Sequence, residues 1–223
     1  MPNYRKFIFG NDEIYHVFNR GVEKRPTFTD KRELIRAAET FAYYRFINIP
    51  FKFSQFLKLE QEKRSLTFEN ITKSPLHIEI LAYCFMPNHF HFLLRQVNKN
   101  GVSKFMANFT NSYTKYFNTK HDRIGPLFQG MFKAVRIEDD EQLLHISRYI
   151  HLNPVSSLII EAKDLQTHEW SSYPDYLSTE PSNMLDKNTV LNFFSEKNSY
   201  QQFVLDQANY ARTLEQIKHL TFD

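Results

Sequence analysis

Two histidines stand one residue apart in the segment HFHFLLRQ, residues 89–96. Its aromatic and branched residues predict a β-strand, in which successive side chains point to opposite faces of the sheet. His89 and His91 then share one face, whereas Phe90 and Phe92 point to the other. Two imidazoles side by side on an exposed sheet face are a natural pair of metal ligands. An isolated pair of this kind also occurs as two ordinary polar strand residues, so it does not establish a metal site by itself.

A tyrosine and an amide lie one helical turn apart further along the chain. In the helix predicted over 141–152, the residues His145, Tyr149 and Asn153 follow at i, i+4 and i+8 and so share one face. The phenol of Tyr149 can attack an electrophile, and the amide oxygen of Asn153 can complete a metal site. A half-buried tyrosine with a hydrogen-bonded hydroxyl is the commoner case. With twelve tyrosines in the chain, spacing alone does not single out Tyr149.

The elements that position these residues follow the order strand, helix, strand, strand, helix, strand. The strands are predicted over 13–20, 77–86, 89–96 and 131–138, and the helices over about 30–47 and 101–121. This order is typical of the ferredoxin-like or RRM-like α+β fold, an antiparallel sheet with two helices on one face. A further helix, from about 140 to Asn153, ends at Pro154 and can cover the other face.

The chain is predicted to consist of one domain over residues 1–176 and a tail over residues 177–223. Residues 50–75 form an inserted excursion in the domain, with alternating charged and aromatic residues. The tail is predicted to contain helices over 188–195 and 198–219. No function follows from its sequence.

The composition is that of a globular protein, with 42% hydrophobic and 24% charged residues in 223. The single cysteine, Cys84, excludes an internal disulfide and a multi-cysteine zinc site. No apolar run approaches the roughly 18 residues of a membrane span, and no apolar signal-peptide core opens the chain. We therefore expect a cytoplasmic protein with no membrane partner.

Charge is distributed unevenly along the chain. Residues 1–136 carry 22 Lys/Arg and 11 Asp/Glu, whereas residues 137–223 carry 6 and 14. A basic N-terminal part suits a polyanionic partner, because each phosphate contact releases counterions. The same distribution also fits a solvated surface with unevenly placed charge.

Several ordered motifs together resemble the REP-associated tyrosine transposases. These belong to the single-tyrosine HUH transposases, where HUH denotes histidine, bulky hydrophobe, histidine. The motifs are YHVFNRG (15–21), MPNHFHFLLR (86–95), GPLFQGMFKAVRI (125–137), SRYIHLNPV (147–155) and EWSSYPDY (169–176). The resemblance spans about residues 13–176 and is more specific than any single motif. The excursion at 50–75 and the tail have no counterpart in the compact family pattern.

The resemblance implies that residues 1–176 form a catalytic domain that cleaves single-stranded DNA and rejoins it through a 5′-phosphotyrosine. His89 and His91 match the histidines that bind Mg²⁺ or Mn²⁺. Tyr149 matches the nucleophile, and Asn153 matches a polar residue that adds a metal ligand in related enzymes. A divalent cation neutralises charge on the phosphate and orients it for attack. Attack by a later 3′-hydroxyl restores the phosphodiester without ATP.

The implied partner is single-stranded DNA, folded at its base into a REP-like hairpin. A protein with this partner is expected to associate with the nucleoid, as a monomer or a homodimer. The basic residues that we expect to contact phosphate are Arg20, Lys104, Lys115, Lys120, Arg123, Lys133 and Arg136.

Two other tyrosines, Tyr113 and Tyr116, lie near a basic run on the predicted helix 101–121. They recur at helical spacing with Phe105 and Phe109, which indicates that both pack against the core face of the sheet. That face is opposite the two histidines, so these tyrosines are predicted not to attack.

Three other functions compete with this interpretation. A histidine-triad hydrolase needs a third histidine where this chain has Leu93. An RRM-type RNA-binding module displays base-stacking aromatics on its open face, whereas Phe90 and Phe92 point away from the histidine face. A domesticated relative that binds DNA hairpins without transposing stays open. A metal-dependent covalent adduct with single-stranded DNA separates the enzyme from both binding proteins.

Overall fold

A four-stranded antiparallel sheet forms the centre of the protein in the computed structural model, which describes residues 8–208. The strands are β1 (Ile14–Arg20), β2 (Ile78–Met86), β3 (His89–Gln96) and β4 (Lys133–Arg136), in the spatial order β2-β3-β1-β4. The predicted strand positions are confirmed, with β4 shorter than expected. Because β1 and β3 pair in the centre, they bring residues 16 and 91, far apart in sequence, side by side.

Eight α-helices and two 3₁₀ helices surround the sheet within the described residues. The α-helices are α1 (Lys31–Tyr43), α2 (Phe53–Phe56), α3 (Gln61–Thr72), α4 (Gly101–Lys120), α5 (Asp140–Ser156), α6 (Tyr173–Leu177), α7 (Asn188–Leu191) and α8 (Lys197–Leu205), and the 3₁₀ helices are Val22–Lys24 and Ala162–Thr167. None of the helices described is long and apolar enough to span a membrane. The predicted α+β class with a ferredoxin-like element order is confirmed.

Each face of the sheet carries its own hydrophobic core. On one face, α1 and α4 cover Phe90 and Phe92, which are completely buried. On the other, α5 and the segments after it pack on Leu93 and Cys84. Strand alternation explains this division, since neighbouring residues of β3 enter opposite cores. The prediction that Phe90 and Phe92 point into the core under the helices is therefore confirmed.

Two details differ from the sequence predictions. The excursion at 50–75, for which no helix or strand was predicted, contains two helices, α2 and α3. Helix α5 does not end at Pro154 but continues to Ser156. Proline removes one backbone donor, yet the next turn still closes, because the Ser157 amide donates to the Asn153 carbonyl at 3.0 Å. Pro154 is also buried, so packing favours this last turn.

The first part of the tail packs on the helix that carries Tyr149. Tyr200 on α8 is buried and its hydroxyl lies 2.7 Å from Nδ1 of His151 on α5. On the other side of the same ring, His151 Nε2 lies 2.8 Å from Ser172 Oγ. The tail helices predicted over 188–195 and 198–219 correspond to α7 and α8, which are shorter. The part of the second predicted helix beyond residue 208 lies outside the described residues. These contacts fix α5 to α8 and, through Ser172, whose Oγ accepts from the Tyr83 amide at 2.9 Å, to β2.

Candidate active site

His89 and His91 lie side by side on the sheet face that α5 covers. Their ring centroids are 5.0 Å apart and the ring planes are perpendicular. His91 is buried with 6% of its surface exposed, and His89 is partly buried. The predicted common face is thus present, but α5 converts an open face into a recess between sheet and helix.

His89 faces two amide side chains, and that of Asn88 orients it. Its Nδ1 lies 2.6 Å from Asn88 Oδ1, while the amide nitrogen of Asn88 donates to the Lys24 carbonyl at 3.0 Å. Because Asn88 thereby presents its oxygen, Nδ1 of His89 is the protonated nitrogen and Nε2 carries the lone pair. This Nε2 faces Asn153 Oδ1 at 3.3 Å. Two acceptor atoms therefore point towards each other across the recess.

A third histidine, His16 on β1, supports His91. His16 Nε2 and His91 Nδ1 are 2.9 Å apart, and both side chains are buried. One nitrogen must donate and the other accept. When His91 Nδ1 donates, its Nε2 keeps a lone pair for a ligand. The His16 contact is therefore of the kind by which a neighbouring group fixes the tautomer of a metal-binding histidine.

Burial keeps all three imidazoles neutral. It lowers the pKa of His16 to about 4. It also lowers the pKa of His89 to about 4, with a smaller contribution from the positive charge of Arg20. For His91, burial and then the neighbouring His16 and His89 hold the pKa well below its usual range. Neutral imidazoles are the form that binds metal ions, so the site needs no proton loss at neutral pH.

Tyr149 stands over this cluster on α5. The helix starts at Asp139, whose carboxylate accepts the Gln142 amide proton at 2.7 Å, and the acidic first turn suits the helix dipole. The Tyr149 ring meets His91 edge-on with centroids 5.2 Å apart, and 47% of the residue is exposed. One turn later, Asn153 reaches His89. The predicted common helix face is confirmed for this pair, so a half-exposed phenol and the facing acceptor atoms meet in one recess.

The donor atoms fit a divalent cation with open coordination positions. Neighbouring ligands of an octahedral ion at about 2.1 Å lie about 3.0 Å apart, close to the 3.3 Å between His89 Nε2 and Asn153 Oδ1. Among residues 8–208, no three His, Cys, Asp or Glu side chains are grouped as a metal site. His16 does not add such a ligand, because its Nε2 is engaged with His91. Two imidazoles and one amide oxygen would leave positions for phosphate and water.

The two rival tyrosines lie on the other side of the sheet. Tyr113 is completely buried, and its hydroxyl donates to the Thr27 carbonyl at 2.6 Å. Tyr116 is partly buried and packs against the same core. The sheet separates both from His89 and His91, which confirms their predicted packing.

The basic residues predicted to contact phosphate are not brought together. Arg20 and Lys133 are exposed and pair across the sheet with His89 and Phe18, so both point to the histidine face. Arg136 is on β4 and forms an ion pair with Glu13 at 2.7 Å. The others lie on or just after α4, beyond the opposite core: Lys104, Lys115, Lys120 and Arg123.

Sequence analysis missed His16 and Asn88 as parts of the site. Both stand within quoted motifs, YHVFNRG and MPNHFHFLLR. Alternation within β1 places His16 on one face with Phe18, but the face is known only once β1 is paired with β3. The residues could therefore be noticed in the motifs, but the contact of His16 with His91 is known only from the β1–β3 register.

A sequence model of the family described as "Transposase IS200 like" matches residues 39–153. This range is more than half of the 223 residues and contains His89, His91, Tyr149 and Asn153. No curated protein is similar enough in sequence to match.

Among the solved structures that match the chain are the following two. A REP-associated tyrosine transposase bound to a REP hairpin has a TM-score of 0.51 and 16% identity, covering 81% of this chain and 89% of that one. A tRNA(His) guanylyltransferase from Saccharomyces cerevisiae has a TM-score of 0.28 and 15% identity, covering 87% and 82%. The first similarity shows a common fold, and the second is too weak to do so.

Proposed function

The chain belongs to the IS200-like transposase family, and on that premise we propose that it cleaves single-stranded DNA and transfers the cut strand through a 5′-phosphotyrosine on Tyr149. One observation carries the proposal. The half-exposed Tyr149 ring lies against His91, one helical turn from the facing Nε2 of His89 and Oδ1 of Asn153. A nucleophile and a cation-binding donor set thus share one recess.

Tyr149 supplies the attacking atom. Its phenolic oxygen bonds to the scissile phosphorus and releases its proton to solvent, which its exposure permits. The bond from phosphorus to the 3′-oxygen breaks, and that oxygen takes a proton to become a free 3′-hydroxyl. The 5′-phosphate stays on Tyr149 until another 3′-hydroxyl attacks and displaces the phenol. The number of phosphoester bonds is unchanged at each step, so no ATP is needed.

His89, His91 and Asn153 would hold Mg²⁺ or Mn²⁺, which when bound neutralises phosphate charge and lowers the cost of deprotonating a nearby phenol. Asn88 and His16 orient the two imidazoles from behind. The contacts of His151 with Tyr200 and Ser172 hold α5, and with it Tyr149, in position over the sheet.

A DNA hairpin with a single-stranded flank is the substrate that fits this site. Arg20 and Lys133 lie on the histidine face, where a strand that reaches Tyr149 passes. The transposase of similar fold is bound to a REP hairpin, which supports the same class of partner here. With this partner, the protein would act at the nucleoid, as a monomer or a homodimer.

The proposal is tested by incubating the protein with a labelled hairpin oligonucleotide in Mn²⁺, in Mg²⁺ and in EDTA. We expect a covalent protein–DNA adduct that survives denaturing electrophoresis and forms only with a divalent cation. Tyr149→Phe is the matched control, since it removes one oxygen atom. An adduct of equal yield in EDTA would contradict the metal role. Hairpin binding without any adduct would favour a domesticated binding protein.

A further inference from the structure

A basic groove lies on the helix-covered side of the sheet, away from Tyr149. It is bounded by α1, α2 and α4 and has a volume of about 690 Å³. Its basic side chains are Arg36, Lys52, Lys58, Lys115 and Lys120, and its described lining includes no aspartate or glutamate. Two of these lysines, Lys52 and Lys58, belong to the inserted excursion, which has no role in the proposed strand cleavage.

The lysines of the groove differ in how far their charge is neutralised. Lys120 forms ion pairs with Asp30 and with the buried Glu33. Lys52, Lys58 and Lys115 are exposed and form no ion pair with any residue between 8 and 208. Three uncompensated ammonium groups therefore face one concave surface.

Arg36 at the base of the groove is held between two aromatic rings. Its guanidinium carbon lies 4.5 Å from the centre of Phe53 and 5.1 Å from that of Tyr116. Its Nε is buried and has no hydrogen-bond partner in the described part of the chain. Stacking fixes the planar guanidinium at the base of the groove, where it forms no ion pair with a described residue and adds positive charge.

Neutral donors complete the lining. The amides of Asn108 and Asn111 on α4 are exposed beside Lys115. Phosphate oxygens in protein–DNA complexes accept hydrogen bonds from such amides as well as from lysine and arginine. Two tyrosines line the groove. Tyr116 is covered by the guanidinium of Arg36 and Tyr44 is buried with 5% of its surface exposed, so neither offers a free platform for stacking bases.

We propose that this groove binds the phosphodiester backbone of DNA, independently of base sequence, at a second site of the transposase. The inference rests on the proposed function for the identity of the nucleic acid. Because the sheet lies between the groove and Tyr149, the DNA held here is a segment other than the scissile strand at the cleavage point. The excursion at 50–75 would thus serve as a DNA-binding extension of the fold.

The experiment compares the wild type with Lys52→Ala/Lys58→Ala/Lys115→Ala. The control Lys63→Ala/Lys73→Ala/Lys163→Ala removes the same charge from residues that do not line the groove. Affinity for a fluorescent hairpin DNA with flanking single strands is measured against salt concentration, in EDTA so that no cleavage is needed. Circular dichroism checks that each variant is folded.

In the groove variant, we expect the slope of log affinity against log salt to become shallower by about 2 to 3, because each lost B-DNA phosphate contact contributes about 0.9. The control should keep the wild-type slope. Equal slopes in all three proteins would overturn the proposal. The same salt titration is made with a hairpin RNA, and a loss confined to the RNA, with DNA binding intact, would overturn the assignment to DNA. Failure of adduct formation would count against the proposed cleavage but not against a slope change measured without metal.

Discussion

Replacing His16 with alanine tests how the metal ligands are positioned. His16 Nε2 lies 2.9 Å from His91 Nδ1, and both residues are buried. In the tautomer that leaves His91 Nε2 free for a metal, His91 Nδ1 donates to His16, and in His16→Ala this proton loses its acceptor in a place that water reaches poorly. A buried donor without a partner costs roughly 1–3 kcal/mol. We therefore expect the His91 ring to favour the other tautomer or to rotate, and in both cases its Nε2 lone pair is lost to a metal.

The expected loss in metal affinity is about 10- to 100-fold, as for other groups that orient a ligating histidine. This corresponds to roughly 1.4–2.8 kcal/mol, within the range estimated from the lost acceptor. Titration of the metal-free protein with Mn²⁺, followed by electron paramagnetic resonance of the free ion, measures the dissociation constant directly.

Two further variants make the His16 experiment decisive. His16→Gln retains an acceptor oxygen near the position of Nε2 and should recover most of the affinity. His145→Ala removes an exposed imidazole that contacts Arg148 instead of the recess, and should leave the affinity unchanged. If His16→Ala binds Mn²⁺ as tightly as the wild type, His16 does not support His91 and the reasoning is refuted.

Three other outcomes follow from the structure. Burial lowers the pKa of His151 to about 3, whereas in the unfolded chain it titrates near 6.5. The unfolded state binds more protons between these values, so His151 alone should lower the free energy of unfolding by about 2 kcal/mol from pH 7 to pH 5. His16 and His89 add to this fall in the same direction, and equal urea midpoints at both pH values would argue against it. Tyr113→Phe loses a buried hydrogen bond to the Thr27 carbonyl, so it should lower the free energy of unfolding by about 1 kcal/mol and retain adduct formation. Loss of the adduct in a folded variant would contradict the assignment of Tyr113 to the hydrophobic core. Arg20→Ala should make the salt dependence of single-strand binding shallower by about 0.7, and an unchanged slope would remove Arg20 from the DNA path.

The parts of the fold that depend on local pattern could be predicted from the sequence. Alternation along β3 separates His91 from Phe92, and the structure buries Phe92 under α1 and α4. The spacing of Tyr149 and Asn153 needs only a helix, which Asp139 starts and the acidic first turn favours. They lie over the histidines because α1 and α4 cover one face of the sheet and leave the other face to α5, the helix after β4.

The parts that depend on pairing between distant segments could not be predicted. His16 becomes a partner of His91 only through the β1–β3 register. Helix α3 contributes only Ile71 to the buried residues. Its sequence therefore shows little helical periodicity, and no helix was predicted in the excursion. The basic residues predicted to contact phosphate are spread over the protein for the same reason, because their positions depend on the three-dimensional fold. Lys115 and Lys133, for example, are close in sequence but lie on opposite sides of the sheet.

The most direct test of the central claim is mass spectrometry of the trapped protein–DNA adduct. After cleavage of a hairpin substrate in Mn²⁺ and digestion of both polymers, we expect a nucleotide bound through its 5′-phosphate to Tyr149. We also expect that Tyr149→Phe forms no adduct, while its affinity for the DNA measured without metal stays near that of the wild type. A nucleotide on Tyr113, Tyr116 or any other residue, or an adduct that persists in Tyr149→Phe, would contradict the assignment of Tyr149 as the nucleophile.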